Sequence, residues 1–313
     1  MKIKIILRGI LKMYFPWLYN FFKKKGTGGT NSALYCYSVW LRHLVLLYEK
    51  GMCNMPKSVV EIGPGDSLGV GLNALLTGAN EFYAFDIIKH ANIEMNLKIF
   101  DELVELYKRK VAIPNGTEFQ KVKPKLKDYK FPTHILSEEY LEKMLETKRL
   151  AHIRRAIKNS ESGEFIVRYI LPGDKNRSIN KNSIDLVYSQ AVMEHIIDID
   201  SIYKNCYLWL KKGGFMSHQI DYSSHGTHNL WFGHWTYPKW LWNIILEGRL
   251  YPVNRYPNSY HIRTMLKNNF KIAFQLPFKN TEANSISKDI LNKYEFTKDD
   301  LQISGGFIIA KKD

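Results

Sequence analysis

A glycine-rich turn between a short apolar strand and a helix is the feature that most constrains this fold. Residues 57–62 (KSVVEI) predict a buried strand that runs directly into the turn Gly63-Pro-Gly65-Asp-Ser-Leu-Gly69. A helix over 70–79 and a second strand over 81–86, ending in an acid, follow. Glycines let a backbone approach a ligand closely, and an acid at the end of the second strand can accept hydrogen bonds from two ribose hydroxyls. The order of these elements therefore predicts a nucleoside-binding unit.

Two features of the turn indicate which nucleoside it suits. Its glycines lie at 63, 65 and 69, which is not the GxGxxG spacing of a dinucleotide-binding loop. Glu61 lies near the end of the first strand, where a carboxylate would repel a pyrophosphate and attract a cationic ligand without phosphate. The sequence therefore favours a sulfonium nucleoside over NAD.

Strand and helix patterns alternate along the rest of the chain. A charged segment at about 92–160 is helical in pattern, with a proline-marked break inside it. Further helices are predicted at 31–50 and 198–210, and further strands at 164–169, 184–188, 215–220, 270–277 and 304–311. Such alternation is typical of an α/β fold with a mostly parallel sheet.

Four segments, in their order and spacing, resemble the class I S-adenosylmethionine-dependent methyltransferases. Residues 59–65 (VVEIGPG) are similar to that family's first motif, and Asp86 falls where the family has its ribose-binding acid. Residues 184–195 (IDLVYSQAVMEH) resemble the fourth-strand motif and its following "EH", and 210–215 (LKKGGF) resemble the turn into the fifth strand. The resemblance implies a Rossmann-like, seven-stranded, mostly parallel sheet whose last strand is antiparallel, with a helical insertion after the second strand and an N-terminal helical extension.

The same resemblance implies S-adenosylmethionine as the cofactor. One departure from the family pattern is Ser67, which stands where the usual GxGxG has its third glycine. Asp66 and Ser67 stiffen the loop and leave the cofactor contacts at this turn open. The implied cofactor-binding residues are Glu61, Gly63, Gly65, Asp66, Ser67, Asp86, Ser189 and His195.

A narrower resemblance concerns the methyl acceptor. Residues 34–43, 65–68, 218–225 and 251–255 are together similar to segments of bacterial methyltransferases of surface-polysaccharide clusters. This similarity implies a sugar, nucleotide-sugar or glycolipid acceptor that is methylated at oxygen. The segment at about 218–262 is expected to supply the acceptor-binding loops.

Histidines are concentrated just beyond the predicted fifth strand. Four of the ten, at 218, 225, 228 and 234, fall within 17 residues, at the edge where ligands of open α/β sheets bind. His218 or His225, oriented by Asp221, is the predicted general base, because histidine titrates near neutrality; a packed strand residue and a solvated loop are the alternative. The same three residues could hold a metal ion, but their spacing matches no compact metal motif, and no metal is expected.

Three other groups leave a structural and a functional interpretation open. The four tryptophans at 231–242 could form a wall that stacks on a sugar ring, or the core of a subdomain. Arg42 and His43 could close over the cofactor or the acceptor, or belong to an amphipathic helix. The basic helix at 137–158 could guide a phosphorylated acceptor, or be a solvated face.

Positive charge is concentrated at the N-terminus. The formal net charge is +15, and residues 1–25 hold seven basic residues and no acidic one, interleaved with apolar and aromatic side chains. Charges and a proline interrupt this stretch too early for a transmembrane helix, which needs about 20 apolar residues. It predicts either a segment lying on an anionic membrane or a helix packed on the domain. We expect a basic amphipathic segment at 1–28, a methyltransferase domain at 29–313, and a cytoplasmic protein, peripheral at the inner membrane face.

Other function classes remain open on the sequence alone. A methyltransferase acting on RNA or DNA would use the positive charge, but no Asn/Asp-Pro-Pro-Tyr/Phe motif and no appended RNA-binding module is recognisable. A different small-molecule acceptor is a further alternative. The same fold could also serve as a cofactor-binding partner without turnover, against which Glu61, the turn glycines and Asp86 argue. Three cysteines without metal-binding spacing are consistent with a reducing compartment.

Overall fold

The computed structural model describes residues 29–160, 166–171, 179–247, 249, 251–280 and 296–313. The basic segment predicted at 1–28 lies outside the described residues, as do residues 164 and 165 of the third predicted strand. Among the helices of the described residues, none combines the length and the apolar character needed to span a membrane.

One sheet organises the chain. Its seven strands are Ser58–Ile62 (β1), Glu81–Phe85 (β2), Val167–Ile170 (β3), Ile184–Gln190 (β4), Leu210–Asp221 (β5), Phe270–Lys279 (β6) and Ile303–Lys312 (β7). They lie in the order β3-β2-β1-β4-β5-β7-β6. The first five pair in parallel, and β7 is antiparallel to both β5 and β6. The predicted seven-stranded, mostly parallel, Rossmann-like sheet with an antiparallel last strand is confirmed.

The strand register determines where a ligand can bind. β1 lies between β2 and β4, with Ile62 opposite Phe85 and Glu61 opposite Tyr188. β5 continues the parallel array, with Ser189 of β4 opposite His218. The carboxyl ends of β1, β2, β4 and β5 therefore meet at one edge of the sheet, and the loops that follow these strands converge there.

Helices cover both faces of the sheet. They are Ala33–Glu49 (α1), Gly69–Leu76 (α2), Ile93–Lys108 (α3), Glu138–Met144 (α4), Thr147–Lys158 (α5), Ile199–Trp209 (α6), Lys239–Leu246 (α7) and Asn258–Lys267 (α8). α1 begins after Ser32, whose hydroxyl accepts a hydrogen bond from the Tyr35 N–H. One core contains α1, α2, α3 and α5, and a second core contains α6 and α8.

In the part of the segment between β2 and β3 that the structure describes, there are three helices and an irregular stretch at 109–137. The basic helix predicted at 137–158 is two helices, α4 and α5, which part at Leu145 and Glu146. The Arg149 guanidinium in α5 donates hydrogen bonds to the carbonyls of Leu75 and Ala79, at 2.7 and 2.8 Å. This arginine therefore attaches the segment to the end of α2 instead of facing an acceptor.

Candidate active site

The turn after β1 adopts a backbone conformation that requires glycine. Gly63 and Gly65 both lie in the left-handed region, with φ of +73° and +74°. The Gly63 N–H donates to the Phe85 carbonyl at 2.8 Å, which joins the turn to the end of β2. A Cβ at Gly63 would lie 2.5 Å from a methyl group of Val192. The turn is thus fitted closely against the loop that follows β4.

A cavity of about 410 Å³ opens at this edge of the sheet. Gly63 and Gly65 line it on one side, Asp86 and His195 on others, and Tyr251 closes it from the later loop. Apolar side chains make up much of its wall: Phe85, Ile87, Val192, Ile196 and Ile197. An apolar wall with one carboxylate is what an adenine ring and its ribose need, so the cavity fits the predicted nucleoside.

Asp86 follows the end of β2 and is 8% exposed. Its Oδ1 accepts a hydrogen bond from the Ile87 N–H at 2.7 Å. Burial raises the pKa of this carboxyl above its ordinary value, which a hydroxyl donor or a nearby cation would offset. The predicted ribose-binding acid is therefore on the cavity wall.

Three other predicted cofactor residues lie around the turn but do not line the cavity. Glu61 is 2% exposed beneath it, and burial raises the pKa of its carboxyl to about 8. Thr30 Oγ1 accepts a hydrogen bond from the Asp66 N–H at 2.9 Å. The Ser67 hydroxyl donates to the Thr30 carbonyl and accepts from the Gly69 N–H. Asp66 and Ser67 thus attach the start of the described chain to the turn.

Thr30 and Tyr35 line the cavity, and sequence reasoning missed both. Ser67, which departs from the family motif, is the signal that could have located Thr30, because the Ser67 hydroxyl donates a hydrogen bond to the Thr30 carbonyl. Tyr251 was also missed, and its hydroxyl shares a hydrogen bond with His90 Nε2. Gln190 is a further lining residue at the end of β4. No local pattern distinguishes these side chains, because they meet only in the folded chain.

His218 and Ser189 lie inside the sheet. Both are fully buried, and His218 Nδ1 and Ser189 Oγ share a hydrogen bond at 2.8 Å. Burial lowers the pKa of His218 to about 3, so its ring is neutral at ordinary pH. Neither residue lines the cavity, and the structure thus separates His218 from the place where an acceptor would bind.

His43, in α1, is also fully buried. Its Nδ1 is hydrogen-bonded to Ser217 Oγ at 2.7 Å and its Nε2 to Gln190 Oε1 at 3.1 Å. Arg42 is 1% exposed and donates to the Pro114 and Pro124 carbonyls. Both side chains hold α1 to its neighbours, and His43 also positions the cavity residue Gln190.

His225 follows β5 and approaches His195. The centroids of the two imidazole rings are 5.1 Å apart. His225 Nε2 is 3.6 Å from Asp221 Oδ2 and 3.8 Å from Glu194 Oε1. His225 has a φ of +45°, a left-handed conformation that is strained for a residue with a side chain. The predicted pairing of His225 with Asp221 is therefore present in the geometry, at the cavity edge that His195 lines.

Glu194 and His195 occupy a short 3-10 helix after β4, Met193–His195. Glu194 is 1% exposed, and burial raises the pKa of its carboxyl well above its ordinary value. His195 Nδ1 is 3.0 Å from the Pro252 carbonyl oxygen, and burial lowers the pKa of this imidazole to about 4. One ligand atom each from Glu194, His195 and His225 lie within 4.8 Å of one another. Glu194 was part of the quoted motif, but its role was missed.

The tryptophans pack mainly as a core. Trp235 is 1% exposed and lies against Trp231 and Phe296 in edge-to-face contacts. Trp242 stacks on Tyr237, while Trp240 is 66% exposed. The interpretation of a subdomain core fits three of the four residues, and no tryptophan is among the residues that line the described cavity.

A larger cavity, of about 710 Å³, lies at the opposite edge of the sheet, beside the loop before β1 and the turn within β5. Its lining includes Asp185, which accepts hydrogen bonds from the N–H groups of Lys57 and Ser58 and pairs with Lys211. None of the predicted site residues lines it. The smaller cavity, at the carboxyl ends of the parallel strands, is therefore the candidate active site.

Comparison with known protein families identifies a methyltransferase model. The family model described as "Methyltransferase domain" matches residues 131–217, which extend from before α4 into β5 and include the segment with Glu194 and His195. The match and the sheet order support a class I S-adenosylmethionine-dependent methyltransferase. S-adenosylmethionine is its cofactor. No curated protein matches the chain.

Solved structures include methyltransferases that are similar in part. An S-adenosylmethionine-dependent methyltransferase from Mesorhizobium loti has 12% identity and a TM-score of 0.40, over 89% of this chain and 100% of that chain. The geranyl diphosphate C-methyltransferase from Streptomyces coelicolor A3(2), in complex with Mg²⁺, geranyl diphosphate and S-adenosyl-L-homocysteine, has 10% identity and a TM-score of 0.42, over 87% and 79%. Identities and TM-scores this low carry no argument about the acceptor.

Proposed function

We propose that this methyltransferase transfers the methyl group of S-adenosylmethionine to a hydroxyl of a sugar, nucleotide sugar or glycolipid in bacterial surface-polysaccharide biosynthesis. One observation carries the transferase chemistry: the cavity lined by the glycine turn and Asp86 also reaches His195, behind which His225 and Asp221 lie. The choice of acceptor rests on the sequence resemblance of residues 34–43, 65–68, 218–225 and 251–255.

The proposed site has two sides. The cofactor side consists of the cavity-lining residues Gly63, Gly65 and Asp86. The acceptor side consists of His195, which lines the cavity, and of Glu194, Asp221 and His225, which lie behind it. On the cofactor side, Asp86 accepts hydrogen bonds from ribose hydroxyls and the turn brings backbone close to the ligand. The bound sulfonium supplies an activated methyl group, so the protein has only to align the acceptor and remove its proton.

The acceptor side is where the hydroxyl is activated. His225 and Asp221 lie at the right edge for that task, whereas His218, the other predicted base, is enclosed by the sheet. We therefore assign activation of the acceptor hydroxyl to His225 with Asp221. His195 lines the cavity between the two sides and positions the acceptor against the cofactor.

Calorimetry and transfer assays test this proposal in sequence. We expect S-adenosylmethionine to bind the full chain in a one-to-one ratio, and labelled methyl to appear on at least one member of a panel of sugar nucleotides and lipid-linked sugars. Total RNA serves as the competing acceptor. Failure to bind the cofactor would contradict every methyltransferase interpretation. Transfer to RNA and to no sugar would contradict the sugar acceptor but would leave the proposed methyl transfer in place.

Residues 1–25 carry a separate part of the proposal, based on their sequence. We propose that they hold the protein against anionic lipid, where a glycolipid acceptor would be found. A chain that lacks these residues should no longer sediment with vesicles containing anionic lipid, while still binding cofactor. Unchanged sedimentation would contradict the membrane role.

A further inference from the structure

We propose that Glu194, His195 and His225 bind one divalent transition-metal ion, and that the acceptor hydroxyl is activated by binding to this ion. The inference rests on the proposed function for its acceptor, but the metal site itself depends only on the three side chains. The set differs from the one considered on sequence, His218, Asp221 and His225, because the sheet encloses His218 and the turn after β4 contributes two ligands instead.

The three ligands come from two loops that converge at the carboxyl edge of the sheet. One potential ligand atom from each lies within 4.8 Å of the other two. A point therefore exists within about 2.8 Å of all three atoms, and side-chain shifts of less than about 1 Å would reach the 2.0–2.2 Å that Zn²⁺ takes to imidazole nitrogen and carboxylate oxygen.

His195 is held in the form that a metal ligand needs. Its Nδ1 lies 3.0 Å from the Pro252 carbonyl oxygen. Because a carbonyl can only accept, Nδ1 carries the proton, and the lone pair is on Nε2. A ligating histidine ordinarily donates its other N–H to a carbonyl or a carboxylate, which orients the ring.

Glu194 is the observation that points most directly to a cation. Neither carboxylate oxygen has a hydrogen-bond partner of ordinary geometry among the described residues, although the side chain is 1% exposed. A buried carboxylate without a partner is costly, and such groups are commonly paired or coordinate metal ions. His225 Nε2 lies 3.8 Å from Glu194 Oε1 and 3.4 Å from the Asp221 carbonyl oxygen, so binding a metal ion through this nitrogen requires the ring to give up that long hydrogen bond.

The turn that presents Glu194 and His195 is anchored by one residue. Asn254 donates its backbone N–H to the Glu194 carbonyl at 2.7 Å, and its side-chain amide donates to the carbonyls of Met193 and Ile196, both at 2.8 Å. These three bonds enclose the short helix on both sides. Such fixed backbone is what a precise ligand set requires.

Two imidazoles and one carboxylate favour Zn²⁺ or another first-row transition metal over Mg²⁺ or Ca²⁺, which prefer oxygen ligands. The set leaves coordination positions open for an acceptor oxygen. A hydroxyl bound there is more acidic, and its proton passes to Asp221, whose Oδ2 is 3.6 Å from His225. The acceptor oxygen then forms a bond to the methyl carbon, the carbon–sulfur bond breaks, and its electron pair stays on sulfur as S-adenosylhomocysteine is released.

Metal titration tests the site directly. Full-length protein stripped with a chelator is titrated with Zn²⁺, Mn²⁺ and Mg²⁺ by calorimetry, and we expect one equivalent of Zn²⁺ or Mn²⁺ to bind at least tenfold more tightly than Mg²⁺. Glu194→Gln and His225→Asn should each weaken this binding at least tenfold. Asn suits position 225 because it tolerates the left-handed backbone there. His152→Asn, at an exposed position on α5, is the control and should bind as the original protein does.

Three further readouts separate the outcomes. Melting temperatures of the metal-free variants show whether lost binding reflects lost folding. Glu194→Gln should not melt lower than the original, because it keeps the shape of the side chain and removes a buried group that can ionise. Equal metal affinity in Glu194→Gln, His225→Asn and His152→Asn would overturn the metal site. So would cofactor binding and methyl transfer that chelator leaves unaffected, although the proposed function would then stand. Specific metal binding without cofactor binding would support the site and contradict the proposed function.

Discussion

The two sides of the cavity are built in different ways. On the cofactor side, backbone conformation does the work: two glycines with positive φ and one acid at a strand end shape the turn, and the Phe85 carbonyl holds it. On the acceptor side, side chains from separate loops converge, one of them buried without a partner and another strained. In our proposal the cofactor side accommodates a ligand of fixed chemistry, whereas the acceptor side holds an unsatisfied carboxylate that a substrate or an ion would complete.

Substituting Gly63 should give the largest effect, because it disturbs both sides together. In Gly63→Ala the new methyl group meets Val192 at 2.5 Å and the residue must keep a φ of +73°. Strain of about 1–2 kcal/mol and overpacking of about 1–3 kcal/mol lower stability, and a shift of the turn that relieves the clash moves the backbone that faces the cofactor. We therefore expect cofactor affinity to fall by roughly 100-fold. Calorimetry measures the affinity.

Gly213→Ala is the matched control for that change. Gly213 has a φ of +81°, but nothing lies within 4 Å of the added Cβ. It should lose about 1–2 kcal/mol of stability from strain and keep its cofactor affinity. If Gly63→Ala binds no worse than Gly213→Ala, the contact with Val192 does not shape the cofactor site.

His225→Asn should affect the acceptor side alone. Loss of the imidazole removes a group that activates the acceptor hydroxyl together with Asp221, so kcat should fall by about 100-fold or more, with the Kd for S-adenosylmethionine nearly unchanged. His218→Gln is the comparison: it should lower the melting temperature because His218 is fully buried, while turnover below that temperature stays within a few-fold. The reverse pattern would make His218 the base and our assignment wrong.

Asp86→Ala should affect the cofactor side alone. Removing the carboxylate that we assign to the ribose hydroxyls should weaken S-adenosylmethionine binding by about 10- to 100-fold, the loss of one or two hydrogen bonds to a charged group. Asp86→Asn keeps the shape and one acceptor oxygen, so its loss should be smaller. Unchanged affinity in both variants would mean that the ribose lies elsewhere.

The glycine turn and Asp86 could be predicted from sequence because their signal is local. A strand, two closely spaced glycines, a helix and a strand-end acid follow one another along the chain, and each constrains its own backbone. The sheet could be predicted for the same reason: the strand patterns near 57–62, 81–86 and 184–188 match β1, β2 and β4 within a few residues.

The acceptor side could be predicted only in part, since its residues meet through tertiary structure. His225 was one of four clustered histidines, and nothing in their spacing shows that the register of β5 with β4 turns His218 inward towards Ser189. The importance of Glu194 depends on its burial and on Asn254, some 60 residues away in sequence. Such properties arise from packing, which no single segment specifies.

The buried histidines and the buried Glu61 carboxyl should make stability respond to pH in opposite directions. Burial lowers the pKa of His218 to about 3 and that of His195 to about 4. Between these values and about 6.5, the two imidazoles are therefore protonated in the unfolded chain but neutral in the folded protein. Stability should fall as the pH drops below about 6.5, by up to about 1.4 kcal/mol per pH unit for each buried ring. The Glu61 carboxyl, with its pKa raised to about 8, should have the opposite effect: the protein should lose stability as the pH rises from about 4.5 through 8.

Thermal melts between pH 4.5 and 9 measure both trends. Glu61→Gln should reduce the loss of stability between pH 6.5 and 8, because the buried amide cannot ionise. His218→Gln should reduce the loss below pH 6.5, to which the other buried imidazoles with a lowered pKa also contribute. If Glu61→Gln leaves the alkaline side unchanged, the Glu61 carboxyl is already ionised at neutral pH and a buried partner stabilises its charge.

Ala191→Gly should give the smallest effect, and it tests whether backbone strain at this residue matters for the acceptor side. Ala191 lies on the cavity wall between Gln190 and Val192, and its φ of +54° is left-handed. Glycine relieves strain of about 1 kcal/mol or slightly more but adds up to about 1 kcal/mol of entropy to the unfolded chain, so the melting temperature should hardly change. The Ala191 N–H donates to the Gln219 carbonyl at 3.0 Å, which ties the loop after β4 to β5. Since glycine keeps that N–H, cofactor affinity and kcat should both stay within a few-fold; a large fall in kcat alone would show that the acceptor side depends on the stiffness of this residue.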